Sequence, residues 1–265
     1  MEQKYVRGVN LIDSHAHLDD EAFDNDRDMV INDLYENGID FIVNVACDLK
    51  SSEMAVDLSK VYENIYATVG VHPHDAKTYD DKLEKKLIDL SKAKKVVAVG
   101  EIGLDYYYDN SPRDIQIEVF KRQLRLASYL GKNVVVHSRE ASQDTFDILK
   151  DAHEKYDFTA VIHCYSQSVE MLREYLKLGD YISLGGAVTF KNSKNPKEVA
   201  KVVPLDKLLL ETDCPYMTPV PYRGKRNEPK YVNLVAEYIA KIRGISKSDL
   251  VKNTDANTKR FYKIC

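Results

Sequence analysis

NVVVHS (residues 133–138) is a run of three valines that breaks on a histidine, and the rest of the chain repeats its form. Apolar, β-branched residues without polar interruption suit a strand buried on both faces, as in a parallel sheet covered by helices. The form recurs in LIDSH (11–15), DFIVNVA (40–46), IYATVGV (65–71), VVAVGEI (96–102), TAVIHC (159–164), YISLGG (181–186) and LLLETD (208–213). Between these runs lie amphipathic stretches, among them DRDMVINDLYENG, QIEVFKRQLRLASYLG and SVEMLREYLKLG. Each closes on Gly, a helix C-terminus signal. VNLVAEYIAKIRG and NTKRFYKI read as closing helices. Eight strands alternating with helices predict an α/β fold, a (β/α)8 TIM barrel formed as a single domain over residues 1–265. An open doubly wound sheet is the alternative.

The chain has 265 residues, 44% hydrophobic and 30% charged, and one barrel typically takes about 250 residues. No apolar run approaches the roughly 20 residues that cross a bilayer. The opening MEQKYVRGVN lacks the apolar segment of a secretory signal. Both features lead to the expectation of a soluble, cytoplasmic protein. Cys47, Cys164, Cys214 and Cys265 are dispersed, with no CxxC pair. That argues against a thiolate zinc site or a disulfide framework and fits a reducing compartment. A net charge of −4 counts against a protein that coats nucleic acid by charge alone. It leaves room for an enzyme that grips phosphates locally. There is no low-complexity tract, no repeat of fixed period and no Gly/Ser linker.

The residues that end the strands carry the chemistry. The first run ends in His15 and His17, the fourth in Glu101, the fifth in His137, the sixth in His163 and the eighth in Asp213. In an α/β barrel these ends converge on one mouth, where active sites lie. Alternation puts Asp13, His15 and His17 on one face if the strand stays regular, and pairs Val135 with His137 and Val161 with His163. Taken singly, each histidine is explained as a hydrogen-bonded strand-end residue. Taken together, buried imidazoles and carboxylates without partners or metal would each cost several kcal/mol on typical estimates, so a metal site is predicted.

Mixed histidine and carboxylate ligands, more than four of them, point to two divalent ions of the Mg, Mn or Zn kind. Glu101 lies on the middle strand of the set and is placed to bridge them. Asp213 suits a double role, binding metal and accepting a proton from an attacking water, so Glu101 and Asp213 are the catalytic candidates. Glu211 shares the parity of Asp213 one layer deeper. It reads as the group orienting a ligand imidazole from behind, or as a buried hydrogen-bonded acid. PYRGKRNEP gathers Arg223, Lys225 and Arg226 just past the last strand, where basic groups suit a phosphate backbone. The plainer reading of that run is a solvated face. DYYYD (105–109) offers Tyr106 to Tyr108 as stacking surfaces for exposed bases, some of them only packing the loop.

With these residues in place, the sequence resembles the TatD family of metal-dependent deoxyribonucleases, a branch of the amidohydrolase superfamily. The resemblance rests on seven blocks in order: DSHAHLD (13–19), VGVHPH (69–74), VGEIGLDYY (99–107), VVVHSRE (134–140), IHCYS (162–166), LLLETDCPYMTP (208–219) and RGKRNEP (223–229). It implies a TIM barrel and a divalent-metal hydrolase, a 3′→5′ exonuclease on DNA, and sometimes RNA, that releases mononucleotides. It also implies that His15, His17, Glu101 and Asp213 hold one ion, and that Glu101, His137 and His163 hold the other. Where the superfamily carries a carboxylated lysine at the end of strand four, Glu101 stands here, which argues against phosphotriesterase-like relatives. In VGVHPH, Pro73 fixes the turn between His72 and His74. The family block implies a substrate-phosphate contact from one of them, against a loop histidine bonded to nearby backbone.

Three functions compete. The leading one is a phosphodiesterase acting on DNA, or also RNA, with no membrane and no obligate protein partner. The second is a metal-dependent deacylase or amidohydrolase acting on an aminoacyl ester or amide, since the same metal cage serves carbonyl and phosphoryl centres. The basic loop and its neighbouring tyrosines favour the first. The third is a non-catalytic scaffold, which a complete ligand set disfavours.

Overall fold

The computed structural model describes residues 11–264. Its strands are β1 (Leu11–Ala16), β2 (Ile39–Asn44), β3 (Ile65–Val69), β4 (Val96–Asp105), β5 (Asn133–Arg139), β6 (Ala160–Ile162), β7 (Tyr181–Leu184) and β8 (Leu208–Leu210). Each pairs in parallel with the next, in the unbroken order β1 to β8. A parallel bridge between Ala16 and Cys214, past the end of β8, closes the sheet on itself. Helices alternate with the strands: α1 (Arg27–Asn32), α2 (Leu49–Val61), α3 (Asp81–Leu90), α4 (Arg113–Tyr129), α5 (Ser142–His153), α6 (Val169–Lys177), α7 (Lys194–Val202) and α8 (Val232–Arg243). A last helix, α9 (Lys247–Tyr262), follows. The architecture is a (β/α)8 barrel and not an open doubly wound sheet. The opening MEQKYVRGVN, which carried the expectation about a signal segment, and Cys265 lie outside the described residues. Among the described residues no helix is long and apolar enough to cross a membrane.

The valines of β5 show why the strands read as unbroken apolar runs. Val135 joins Ile12, Val43, Ala98, Val161 and Leu209 inside the barrel. Val134 and Val136 face outward with Ile162 and Leu210, under Phe120, Leu124 and Leu149 of the helices. Both faces are covered, and each such side chain contributes about 1.5–3 kcal/mol by leaving water. Phe261 and Tyr262, ending α9, join the interior cluster, and the Tyr262 hydroxyl donates to the Ser14 carbonyl at 2.9 Å. The Phe261 carbonyl accepts from Asn133 at the start of β5, so the end of α9 plugs the N-terminal end of the barrel. The opposite end is left for chemistry.

Several boundaries differ from the sequence reading. DRDMVINDLYENG forms a helix only over Arg27–Asn32. The Asn37 side chain then donates to the Asp33 carbonyl at 2.8 Å, and such local bonds compete with helix continuation. β4 runs on to Asp105, so Glu101 lies within the strand and not at its end. Gly103 permits this, with φ of 140° and its α-carbon so close to β5 that a Cβ would meet the His137 carbonyl oxygen at 2.0 Å. β6 and β8 stop at Ile162 and Leu210, so His163 and Asp213 sit in the turns just beyond. β1 also departs from plain alternation. Its register against β2 shifts between Asp13 and Ala16. Asp13 is held aside by Thr212, whose backbone N–H donates to it at 2.9 Å.

Candidate metal centre

The bonds that close the barrel place three of the expected site residues side by side. The Asp213 N–H donates to the His15 carbonyl at 2.9 Å and the His17 N–H to the Cys214 carbonyl at 2.8 Å. Asp213 has a positive φ of 59°, a turn conformation that ends the β8 direction. His15 and His17 then bring their Nε2 atoms within 3.1 Å of each other. Asp213 Oδ1 lies 3.3 Å from His17 Nε2 and 3.8 Å from His15 Nε2.

Glu101 stands between two groups of imidazoles, and its two oxygens divide them. Oε2 faces His15 Nε2 at 3.4 Å and His17 Nε2 at 3.8 Å. Oε1 faces His137 Nδ1 at 2.7 Å and His163 Nε2 at 2.8 Å. His72 Nε2 lies 3.5 Å from that same Oε1. His15 and His163, on opposite sides of the division, stack with ring centroids 4.1 Å apart. All six residues expected to hold metal, His15, His17, Glu101, His137, His163 and Asp213, therefore meet in one place.

Partners on the far side of the rings fix which nitrogen faces inward. His17 Nδ1 lies 2.8 Å from the Val45 carbonyl, leaving Nε2 for the centre. His137 Nε2 lies 3.0 Å from Asp105 Oδ2, leaving Nδ1 for the centre. Behind His15 and His163 stands fully buried Glu211, with oxygens 4.0 Å and 3.8 Å from their Nδ1 atoms. Its Oε1 accepts the Cys164 N–H at 2.6 Å. This is the position from which a carboxylate orients ligand rings.

Metal fits this donor set on three grounds. Ligand atoms of His15, His17 and Glu101, of His15, His163 and Asp213, and of His72, Glu101 and His137 form groups compact enough to hold an ion. His15 Nδ1, His163 Nδ1 and Glu211 Oε2 are buried without a hydrogen-bond partner, which is costly unless a cation draws the rings and carboxylate into line. Charge agrees. Burial disfavours an ionised Glu101, but the fields of His163 and His72 and the bond from His137 hold its carboxyl well below its ordinary range. Asp213 is likewise lowered, chiefly by His17 against the opposing effect of burial. Burial and the neighbouring His163 lower His15 to about 4, while Glu101 overrides burial to raise His163 to about 9. A divalent cation replaces the protons that such imidazoles otherwise hold.

The rim residues are sorted less as the sequence suggested. His72 is buried against Glu101, and its Nδ1 accepts the His74 N–H at 3.2 Å. His74 lies nearer the surface, with Nε2 3.1 Å from Asp105 Oδ2. Tyr106 packs partly buried against the core, its hydroxyl donating to Asp144 at 2.7 Å and its face covered by Arg113. Of the three tyrosines in DYYYD, Tyr107 and Tyr108 are exposed. Arg226 is engaged by the protein itself, gripping Asp26 through two bonds of 2.7 and 2.6 Å. Arg223 lies over the Phe190 ring at 3.7 Å and Lys225 beside Tyr222 at 5.7 Å, both exposed. Asp105 was missed by sequence reasoning, although its alternation with Glu101 and Gly103 along β4 carries the signal.

A closed (β/α)8 barrel whose C-terminal mouth gathers buried histidines around a shared carboxylate is the framework of a metal-dependent hydrolase. The chain belongs to the TatD-related DNase family, whose model matches residues 12–263. It is 43% identical over 254 residues to the uncharacterized metal-dependent hydrolase YabD of Bacillus subtilis (strain 168), covering 96% of this chain and 99% of that one. It is 32% identical over 260 residues to the 3′-5′ ssDNA/RNA exonuclease TatD of Escherichia fergusonii, covering 96% and 99%. The crystal structure of YJJV, a TatD homolog from Escherichia coli K12, superposes with a TM-score of 0.90 at 27% identity, covering 96% of this chain and 98% of that one.

Proposed function

We propose that this chain is a two-metal phosphodiesterase that removes nucleotides from the 3′ ends of single-stranded or frayed DNA, and of RNA. The observation that carries the proposal is the division of the Glu101 oxygens, Oε2 toward His15 and His17 and Oε1 toward His137 and His163. A carboxylate set between two ligand pairs suits a two-ion clamp of the kind used in phosphoryl transfer. His15, His17, Glu101 and Asp213 would hold one ion, and Glu101, His137 and His163 the other, with His72 within reach of Glu101 on that side. Bound there, ions of the Mg, Mn or Zn kind would supply Lewis-acid charge to the phosphoryl group and acidify water.

The protein's own groups do the rest. Asp213, kept ionised by His17, would take up the proton released as water adds to phosphorus; the bond to the 3′-oxygen of the remaining strand breaks, and that oxygen leaves as a hydroxyl with a proton from solvent water. Glu211 holds the rings of His15 and His163 in line from behind. His74, Arg223 and Lys225 stand on the loops where a nucleic acid strand enters. The family model and the relative named as an exonuclease support a nucleic acid substrate over an aminoacyl ester. We further take residues 1–265 to act as one domain, and the dispersed cysteines, free where described, to suit the cytoplasm.

The test is metal-stripped protein given 5′-labelled single-stranded DNA or an aminoacyl ester, with Mg, Mn or Zn restored. The proposal expects metal-restored shortening of the DNA from its 3′ end, lost in Glu101→Ala and Asp213→Ala. Ester cleavage without DNA cleavage, or DNA cleavage equal in the variants, contradicts it.

A further inference from the structure

Arg139 ends β5, two residues beyond His137 on the same side of the strand. It is exposed, and among the described residues no carboxylate pairs with it. Two other cations near the mouth are engaged, Arg226 with Asp26 and Arg113 with Asp109 at 2.7 Å, while Arg223 and Lys225 lie farther out on the loop after β8. Arg139 is nonetheless held in place. Its guanidinium carbon lies 4.0 Å from the centre of the Tyr107 ring and 4.8 Å from that of Tyr108. The two rings meet edge to face, 4.9 Å apart. Cation–π contact of this kind holds a guanidinium in place and leaves N–H groups free for a bidentate acceptor.

The platform is tied to the metal centre. The backbone N–H groups of Tyr107 and Tyr108 both donate to Asp105 Oδ1, at 3.0 and 2.9 Å. The other oxygen of Asp105 faces His137 Nε2 and His74 Nε2. His74 in turn packs edge-on against Tyr108 at 5.3 Å. One carboxylate thus sets both a ligand ring and the floor on which Arg139 rests.

We propose that Arg139, stacked on Tyr107 and Tyr108, is the positioning residue that grips a backbone phosphate next to the scissile one. The proposal rests on the phosphodiesterase reading above and narrows it to chains of at least two phosphates. Alternate residues on a strand are about 6.6 Å apart, so Arg139 lies one such step outward from His137. A strand leaving the centre passes its next phosphate there, and planar bidentate contact is what Arg offers a phosphate. Tyr107 and Tyr108 hold the guanidinium and present their outer faces and edges to the unstacked bases.

Two measurements on holoenzyme and metal-stripped protein test this, using wild type, Arg139→Ala, Arg139→Lys and Tyr107→Ala. Hydrolysis is compared on single-stranded oligothymidylate and on the p-nitrophenyl ester of thymidine 5′-monophosphate, which has one phosphate only. Binding of fluorescent oligothymidylate to metal-stripped protein is followed by anisotropy from low to high salt. Arg139→Ala is expected to raise KM for the oligonucleotide about 10- to 100-fold, with kcat falling less than about threefold. The single-phosphate ester is expected to show a KM change under about threefold. The slope of log binding constant against log salt is expected to flatten by about 0.7, one phosphate contact on a single strand. Arg139→Lys is expected to keep the slope but lose part of the affinity. Tyr107→Ala is expected to weaken binding without changing the slope.

An unchanged KM and slope in Arg139→Ala overturn the proposal. So does an equal loss of kcat on both substrates, which assigns Arg139 to holding His137 instead. Arg139-dependent binding without cleavage by wild type upholds the phosphate grip and overturns the hydrolytic reading. Wild type that neither binds nor cleaves the oligonucleotide overturns both.

Discussion

Asp105 Oδ2 lies 3.0 Å from His137 Nε2, on the edge of the ring opposite the nitrogen that faces Glu101. The carboxylate accepts the proton at Nε2 and so leaves the lone pair of Nδ1 for the metal centre. Asp105→Asn offers an amide N–H in its place and favours the wrong tautomer. Metal affinity and kcat/KM are predicted to fall about 10- to 100-fold. Metal titration followed by kinetics at saturating Mn reads both; an affinity equal to wild type removes this role.

Metal and stability are coupled through the buried cluster of His15, His17, Glu101, His163 and Asp213. Ions that bind only the folded protein stabilise it by about 2.7 kcal/mol at one hundred times Kd. For a chain of 265 residues that corresponds to a Tm rise of roughly 5–10 °C. Differential scanning calorimetry with and without Mn, then with a chelator, is predicted to show the rise and its reversal. A Tm indifferent to metal contradicts a centre built from these buried groups.

Arg226 joins the loop after β8 to Asp26, at the start of α1, through a half-buried two-bond contact. Arg226→Ala is predicted to cost about 1 kcal/mol of stability, the upper end for a partly exposed pair. The salt dependence of substrate binding is predicted to stay as in wild type. Urea denaturation and salt-dependent anisotropy together decide it. Intact stability with a flattened salt slope would place Arg226 on the substrate instead.

Asp255 accepts the Ile12 N–H at 3.2 Å, and burial raises its carboxyl to about 7. Between about pH 4 and 7 the folded chain keeps a proton that the unfolded chain releases, so this group's stabilisation is lost as pH rises through 7. Asp255→Asn keeps the acceptor and removes the titration. The variant is predicted to match wild type near pH 4 and to exceed it by up to about 4 kcal/mol at pH 8. Urea midpoints at the two pH values measure the difference, in which the histidine cluster cancels. A constant offset between the proteins contradicts the assignment.

The strands were legible because both their faces are buried, which forces the continuous apolar runs around Val135 and Val161. The site was legible for the same reason in reverse, since His137 and His163 interrupt those runs where the barrel opens. What sequence periodicity does not carry is local backbone geometry. The register shift in β1 turns Asp13 aside, and the close approach at Gly103 carries β4 on to Asp105. Rim side chains were least legible, because their roles depend on partners distant in sequence. Arg226 finds Asp26, Tyr106 finds Asp144, and Arg139 finds two tyrosines from the neighbouring strand's loop.

Glu101 is proposed to join two ion positions, one oxygen to each. Counting Mn bound per chain by equilibrium dialysis, with electron paramagnetic resonance to detect spin coupling, tests it most directly. Two coupled Mn ions are predicted for wild type, and one or none, uncoupled, for Glu101→Gln. A single ion in wild type, or a coupled pair that survives Glu101→Gln, would contradict the account.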